Sequence, residues 1–424
     1  MKKKKILFII WSFTYGGGAE KILANLVNKL DSNKYDIDII EYWHSNIHTE
    51  KVNSNIRILK PIVDSTKASK IRMLITKIIL EKFPFILRKI YIKDKYDYEI
   101  AFNSMIPTFL LDKKAKTISW NHGDLYSLKE KKHDMKLQKK SFKYVNRIVA
   151  ISKNTYESIL DVFPEYKDKT LIINNSFDFD NILKLSSEQI EIKKEKFTLL
   201  FAGRFDENKN PLFLIEVCKK LKLLNKDFQL WFIGKGKLES KINEEIEKNN
   251  LKEYVKILGF KSNPYPYFKS ADIVTMSSHH EGFPTVLAEG LYLGKPFIST
   301  KVGGIEELSD NGKCGIISSN VDDYSNKLLK LMNDKKTLSD MGNYGKTYIK
   351  KFTYEKQIQK LEKLFEEMDN EICSTVNDGR FAWTGLSGSC SDRQRGRAVI
   401  PAGRRFLAPC GGRQSAAGYQ SEHD

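Results

Sequence analysis

Two glutamates eight positions apart, Glu281 and Glu289, lie within SSHHEGFPTVLAEGLYLGKPFISTKVGGIEEL, residues 277–308. Glu281 precedes Gly282, where the chain must turn. Pro284 suits the opening turn of a helix, because the N–H it lacks would have no intrahelical partner there. The backbone N–H groups of Phe283, Thr285 and Val286 then point out of the helix end along the positive pole of its dipole, an arrangement that favours a diphosphate. Eight helical residues turn through about 800°, which puts Glu289 about 80° round from Glu281. That offset suits two carboxylates accepting from separate hydroxyls better than two ligands of one metal ion. Two solvated surface charges are the plain alternative, and they fit poorly with a setting so punctuated by glycine and proline.

A second candidate is SFTYGGGAEKI, residues 12–22, where three glycines separate an apolar run from an apolar-periodic one. Strand, glycine turn and helix end make an anion cradle, and equally make a tight turn with no ligand. The dinucleotide fingerprint G-x-G-x-x-G accepts Gly16 and Gly18 but meets Lys21 at its third glycine, although Glu41 stands at a suitable distance for a ribose-binding acid. No phosphate-loop motif G-x-x-x-x-G-K-[ST] occurs, since GLYLGKP is one residue short. The triplets Asp36 to Asp38 and Asp178 to Asp180 could suggest a metal-dependent transferase, but one lies in a strand pattern and the other in a linker. Chance accounts for them, and no metal is expected. The five cysteines, Cys218, Cys314, Cys373, Cys390 and Cys410, have no metal-binding spacing and read as reduced thiols.

The elements that position these residues alternate regularly. KKILFII, YDIDIIEY, YEIAF, KTISW, RIVAIS and TLIINN in the first half, and FTLLFAG, FQLWFIG, VKILGF, DIVTMSS, KPFIST and CGIIS in the second, read as short buried strands with helices between them. Such alternation predicts α/β architecture: two doubly wound parallel sheets facing a cleft, with ligands at the carboxyl ends of the strands. The polar stretch FDFDNILKLSSEQIEIKKEK reads as the linker. Composition switches near Cys373: all 59 lysines precede it, whereas residues 374–424 hold seven arginines and no lysine, so this segment reads as an appended, poorly ordered tail.

The net charge of +18 calls for a polyanionic partner. Much of it falls in residues 67–96, which carry nine Lys or Arg against Glu81 and Asp94, with Ile71, Leu74, Ile75, Ile78 and Ile79 at helical spacing. This reads either as a basic amphipathic helix for an anionic membrane face or as a core-packing helix with a solvated side. Residues 129–147 add a second basic stretch. MKKKKILFIIW imitates a signal peptide but reads as a first strand, no run reaches the roughly 18 apolar residues of a membrane span, and a cytoplasmic protein is expected.

Taken with AGRFDENKNP, the E-x7-E pair of Glu281 and Glu289 resembles the retaining family-4 glycosyltransferases of the two-Rossmann GT-B fold, the glycosyl transferases group 1. The similarity runs from residue 1 to about 370. It implies an acceptor-binding domain over 1–178, a nucleotide-sugar-binding domain over 179–352, and a helix over 353–373 crossing back to the first. By the same resemblance Glu281 binds hydroxyls of the donor sugar and Glu289 the ribose. Gly203, Arg204 and Lys209 flank the departing diphosphate, which the two cations neutralise. Gly17 and Gly18 face donor phosphate and acceptor, and SWNHGD brings His122 to the reacting face of the sugar. GFKSNPYPYF, with Phe260, meets the nucleobase. The implied activity is transfer of a hexose or N-acetylhexosamine from a nucleotide sugar, a uridine diphosphate sugar, to a lipid-linked or oligosaccharide acceptor in surface-polysaccharide assembly. The enzyme would work without a cofactor, at the inner face of the plasma membrane. The rival readings are an NAD(P)-dependent Rossmann oxidoreductase, disfavoured by Lys21, and a basic nucleic-acid or membrane-binding protein without catalysis, disfavoured by the lack of any nucleic-acid motif.

Overall fold

The apolar runs read from the sequence all become strands. In this computed structural model, which describes residues 2–377 apart from 16, 104 and 225, the first half holds β1 (Lys4–Ile10), β2 (Tyr35–Glu41), β3 (Trp43–His44), β4 (Arg57–Ile58), β5 (Val63–Asp64), β6 (Tyr98–Ala101), β7 (Lys116–Asn121), β8 (Arg147–Ala150) and β9 (Thr170–Ile172). Seven of them form one sheet in the order β4-β2-β1-β6-β7-β8-β9, while β3 and β5 pair separately. The second half holds β10 (Phe197–Ala202), β11 (Phe228–Ile233), β12 (Val255–Gly259), β13 (Ile273–Met276), β14 (Phe297–Thr300) and β15 (Gly315–Ser318), in the order β12-β11-β10-β13-β14-β15. Every pairing is parallel, with β1 running alongside β2 from Lys4 opposite Tyr35 to Ile10 opposite Glu41.

Parallel strands covered on both faces need apolar side chains at successive positions, and Ile6, Leu7, Phe8, Ile9 and Ile10 are all fully buried. The helix Gly18–Lys29 lays Ile22, Leu23, Leu26 and Val27 on this sheet, each side chain contributing about 1.5–3 kcal/mol by leaving water. In both sheets the winding reverses beside the first strand, between β1 and β6 and between β10 and β13. These are the switch points where crevices open at the strands' carboxyl ends.

Two stretches differ from their sequence reading. Residues 67–96 form two helices, Lys70–Lys82 and Pro84–Tyr91, because Pro84 can begin a helix but cannot donate within one. The first helix packs through Thr76 and Leu80, leaving Ile71, Leu74, Ile75 and Ile78 exposed. The presumed linker contains a helix, Phe179–Leu185, whose Phe179 and Ile182 are buried, with Phe179 stacked on Tyr292 at 4.3 Å between ring centroids.

The chain passes between the sheets twice, near 173–178 and again near 349–354, and the two crossings are bonded together. Phe177 N donates to Phe352 O at 3.3 Å, Ser176 Oγ to Gln357 Oε1 at 2.5 Å, and Gln357 Nε2 to Asn174 O at 2.9 Å. The helix Tyr354–Asn377 then returns to the first sheet. Its Phe365 stacks on Tyr98 at 4.0 Å and meets Tyr35 edge-on at 6.0 Å, while Asp369 accepts from Tyr98 Oη at 2.7 Å and pairs with Lys116. Met1–Ile372 make up one compact unit; of a second, Cys373–Asp424, only the end of this helix is described. The tail read over 374–424 thus lies outside the described residues except for its first four, which are helical. Phe365→Ala should cost about 3–5 kcal/mol, the usual loss for a buried phenylalanine, measured as a lowered urea midpoint.

Candidate active site

Strand ends supply the first group of side chains. After β10 come Gly203, Arg204 and a turn in which Asp206 accepts from Lys209 N at 2.9 Å; after β13, Ser277 Oγ donates to the carbonyls of Lys209 and Asn210, each at 2.9 Å. These bonds lock the two loops together and set Lys209 Nζ 2.5 Å from Glu281 Oε1. The Glu281 side chain is only 13 % exposed, so the ion pair is largely shielded from water. Arg204 bonds Asp206 Oδ2 at 2.9 Å through Nε and lies 5.9 Å from the centre of the Tyr15 ring, which comes from the glycine loop of the other sheet. Together with Asn208, Lys235 and Lys237 they line a cavity of about 520 Å³. Gly234, at φ +146°, passes so close to Gly203 that a Cβ would sit 1.9 Å from the Gly203 carbonyl oxygen. Phe260 lies past β12, exposed, 5.5 Å from Lys235 Nζ at the rim of that cavity.

The two sheets meet at glycines. A Cβ on Gly282 would lie 1.8 Å from His122 O, so the turn after β13 touches the turn after β7 backbone to backbone. Ser152 Oγ donates to Gly282 O at 3.2 Å, and Gly18 faces Thr285 with 3.7 Å between its Cβ position and Thr285 Oγ1. Gly17 is crowded by the Glu20 carboxylate, and Gly16 lies outside the described residues. His122 Nε2 is buried without a hydrogen-bond partner among the described residues, and the ring lies 4.5 Å from Phe102. Burial pushes its imidazolium down to about 3, so the ring is neutral near neutral pH.

Pro284 stands just before the helix Thr285–Tyr292 rather than inside it, its carbonyl accepting from Leu287 N and Ala288 N. Thr285 and Val286, as the first two helical residues, have amides with no intrahelical acceptor. Phe283 turns away into the core against Phe177 and Phe352. Two turns along, Glu289 points elsewhere than Glu281, into a second cavity of about 110 Å³. There Lys21 Nζ reaches Glu289 Oε1 at 2.6 Å and Tyr265 Oη at 2.5 Å, and Tyr265 Oη also donates to Glu289 Oε1, at 3.2 Å. Burial alone would lower the Lys21 ammonium's pKa; the Glu289 carboxylate and the Tyr265 phenol outweigh it and hold it above the usual lysine range.

Neither Lys21 nor Tyr265 emerges as a site residue from the sequence. Lys21 appears there only as a break in a glycine motif, and its partner is 268 positions away. Glu41, the would-be ribose acid of a dinucleotide site, is committed inside the first sheet: it accepts from Phe13 N at 2.7 Å and Thr14 Oγ1 at 3.1 Å and binds His44 at 2.5 Å. The aspartate triplets are similarly occupied, Asp38 by Arg57 and Tyr96 and Asp178 by capping the helix Phe179–Leu185. Among the described residues no group of three or more His, Cys, Asp or Glu gathers as metal ligands.

Relatives show what carries this geometry. The family description "Glycosyl transferases group 1" matches residues 184–348. An uncharacterized glycosyltransferase of Methanocaldococcus jannaschii is 30% identical over 318 residues, covering 70% of this chain and 75% of its own. The chain belongs to the group 1 glycosyltransferases. A Campylobacter jejuni glycosyltransferase named for adding N-acetylgalactosamine to an undecaprenol diphosphate-linked saccharide is 26% identical across 86% of this chain and 99% of its own. An Anabaena protein solved with UDP-glucose matches with a TM-score of 0.64 at 16% identity, over 86% of this chain and 100% of that one. The glycosyltransferase therefore has the GT-B fold, and its two sheets are the cores of two Rossmann-like lobes. Its cleft lies where Arg204 of one lobe approaches Tyr15 of the other and the Gly282 turn that follows Glu281 touches the His122 backbone.

A neutral buried histidine has a signature. Unfolded, His122 takes up a proton near pH 6.5; folded, only near 3, so stability is lost as pH falls between those values. This loss should reach about 2 kcal/mol by about pH 5. His122→Gln should remove that part of the acid sensitivity, measured by urea unfolding at neutral pH and near pH 5.

Proposed function

We propose that this glycosyltransferase is a retaining enzyme that moves a hexose or N-acetylhexosamine from a uridine diphosphate sugar to a lipid-linked or oligosaccharide acceptor in surface-polysaccharide assembly. The observation that carries the reading is the Lys209–Glu281 pair at the junction of two strand ends, next to the Gly282 turn that touches the His122 backbone of the other lobe. Glu281 is placed to accept from sugar hydroxyls, and Lys209 and Arg204 to meet the negative charge that grows on the departing diphosphate. Fixed cations act most strongly where charge develops during reaction. The donor's C1–O bond to phosphate breaks, and the acceptor oxygen bonds C1 on the same face. The acceptor's proton passes to the leaving phosphate oxygen, so no enzymic nucleophile, cofactor or metal is called on. The neutral His122 adds no charge beside the reacting face of the sugar. The acceptor class is supported by the name of the Campylobacter relative, and the uridine nucleotide by the Anabaena complex.

A lipid-linked acceptor requires work at a membrane surface, and the two consecutive helices of residues 70–91 suit it. Ile71, Leu74 and Ile78 of its first helix and Phe83, Phe85 and Ile90 beyond it are all at least half exposed, set among lysines and arginines. Apolar side chains framed by cations match an anionic bilayer at the inner face of the plasma membrane. Among the described residues no helix is long and apolar enough to cross a membrane.

Transfer is tested by incubating the protein with nucleotide sugars and lipid-linked saccharides and recording the anomeric configuration of the product by NMR. Glu281→Ala should abolish turnover in a folded protein. Lys209→Ala and Arg204→Ala should each lose about 2 kcal/mol of transition-state stabilisation, about thirtyfold in kcat/KM. Arg57→Ala, remote at β4, should lose little, and an equal loss there would reduce the effect to net charge. Liposome sedimentation checks the membrane contact. Each basic residue near an anionic leaflet contributes about 1 kcal/mol, so replacing Lys70, Arg72, Lys77 and Lys82 by Gln should release the protein while nucleotide affinity stays unchanged. Wild type that ignores anionic liposomes at low salt would remove the membrane from this account.

A further inference from the structure

Glu289 is held from one side only. Lys21 Nζ and Tyr265 Oη both address its Oε1, and among the described residues no group donates to Oε2. The carboxylate is 6 % exposed and borders the cavity of about 110 Å³ that Lys21, Asn25, Tyr265 and Thr285 also line. A carboxylate so enclosed needs a countercharge, and a carboxylate fixed at one oxygen presents the other in a set direction. The countercharge comes from the opposite lobe, on the helix Gly18–Lys29 that begins at the glycine loop, whereas Glu289 and Tyr265 belong to the second lobe.

We propose that Lys21 is a positioning residue for donor binding, which with Tyr265 fixes Glu289 Oε1 so that Oε2 is presented to the ribose hydroxyls of the nucleotide. The inference rests on the reading of Glu289 as the ribose-binding carboxylate and adds that the other lobe completes this part of the site. A nucleotide then binds fully only where the helix Gly18–Lys29 lies against the second lobe. The dinucleotide motif's third glycine is a lysine here for a reason of its own: a side chain at that position has to reach across.

Calorimetric titration tests this with two probes, UDP and 2′,3′-dideoxy-UDP, the second lacking the hydroxyls that Oε2 would accept. Lys21→Met should weaken UDP about tenfold, the scale of one charge-assisted hydrogen bond, and leave the dideoxy nucleotide within about twofold of its wild-type affinity. Lys21→Arg should restore most of the loss, and Lys21→Met added to Glu289→Gln should cost nothing further. Equal weakening of both nucleotides would overturn the proposal, since Lys21 would then be touching phosphate or supporting the fold. Tighter UDP binding by Lys21→Met would overturn it too, because Lys21 would then be an obstruction. Should Lys21→Met not fold, Tyr265→Phe serves: it should show the same selectivity for UDP over the dideoxy probe to a smaller degree, and equal effects on the two count against the proposal. Wild type that binds none of UDP, GDP and ADP would instead remove the donor reading itself, an outcome distinct from a wild type that binds UDP and variants that do not discriminate.

Discussion

At Gly282 there is no room for a side chain, and the geometry of the cleft follows from that. The loop after β13 lies directly on the His122–Gly123 backbone of the other lobe, and Gly303 and Gly304 press on the same loop from behind: a Cβ on Gly303 would lie 2.4 Å from Glu281 O and one on Gly304 2.5 Å from Gly282 O. Gly304 also holds φ at +70°, a region that suits glycine. Three glycines thus bring the backbone carrying Glu281 into a slot between two turns. With Gly282 seated there, Glu281 bonds Lys209, Thr285 meets the glycine loop at Gly18, and the helix Thr285–Tyr292 begins beside the cleft.

Three ion pairs run through the cleft. Lys209 pairs with Glu281, Lys21 with Glu289, and Arg204 with Asp206. Taking ions out of water is costly, and a shielded pair largely offsets its own penalty, whereas removing one partner leaves a charge uncompensated at about 3–5 kcal/mol. Arg204, half exposed, lies outside that argument; the other two pairs are bound by it. Each of those carboxylates is therefore tied to its cation by electrostatics as well as by hydrogen-bond geometry, and the pairs behave as units.

How much of this could be read from the chain follows from where the determining contacts lie. The sheets were legible because strands such as β1 and β11, buried on both faces, need uninterrupted apolar runs, and because Gly282 and Pro284 mark a strand-to-helix turn. The glutamate pair was legible because its spacing is local. The edge strands β3, β4 and β5 were not, since two residues make no pattern. Apolar spacing over 71–79 signalled a helix correctly but said nothing about which face is covered: Leu80 and Thr76 take the core, and Pro84 divides the segment. Phe179 and Ile182 were masked by polar neighbours. Lys21 was beyond reach, because its partners, Tyr265 and Glu289, are far away in sequence and on the other lobe.

The paired crossings near 173–178 and 349–354 act as the leaves of a door hinge. One strand of backbone between two lobes would permit swivelling and twisting in any direction. Two strands bonded edge to edge, Ser176 to Gln357 and Phe177 to Phe352, leave a single soft axis running across them. Any widening of the cleft must pivot on that axis, with Phe177, Phe283 and Phe352 as its greased bearing. Lateral slippage of one lobe over the other would have to break these bonds, so the paired crossings hold Gly282 in register with His122.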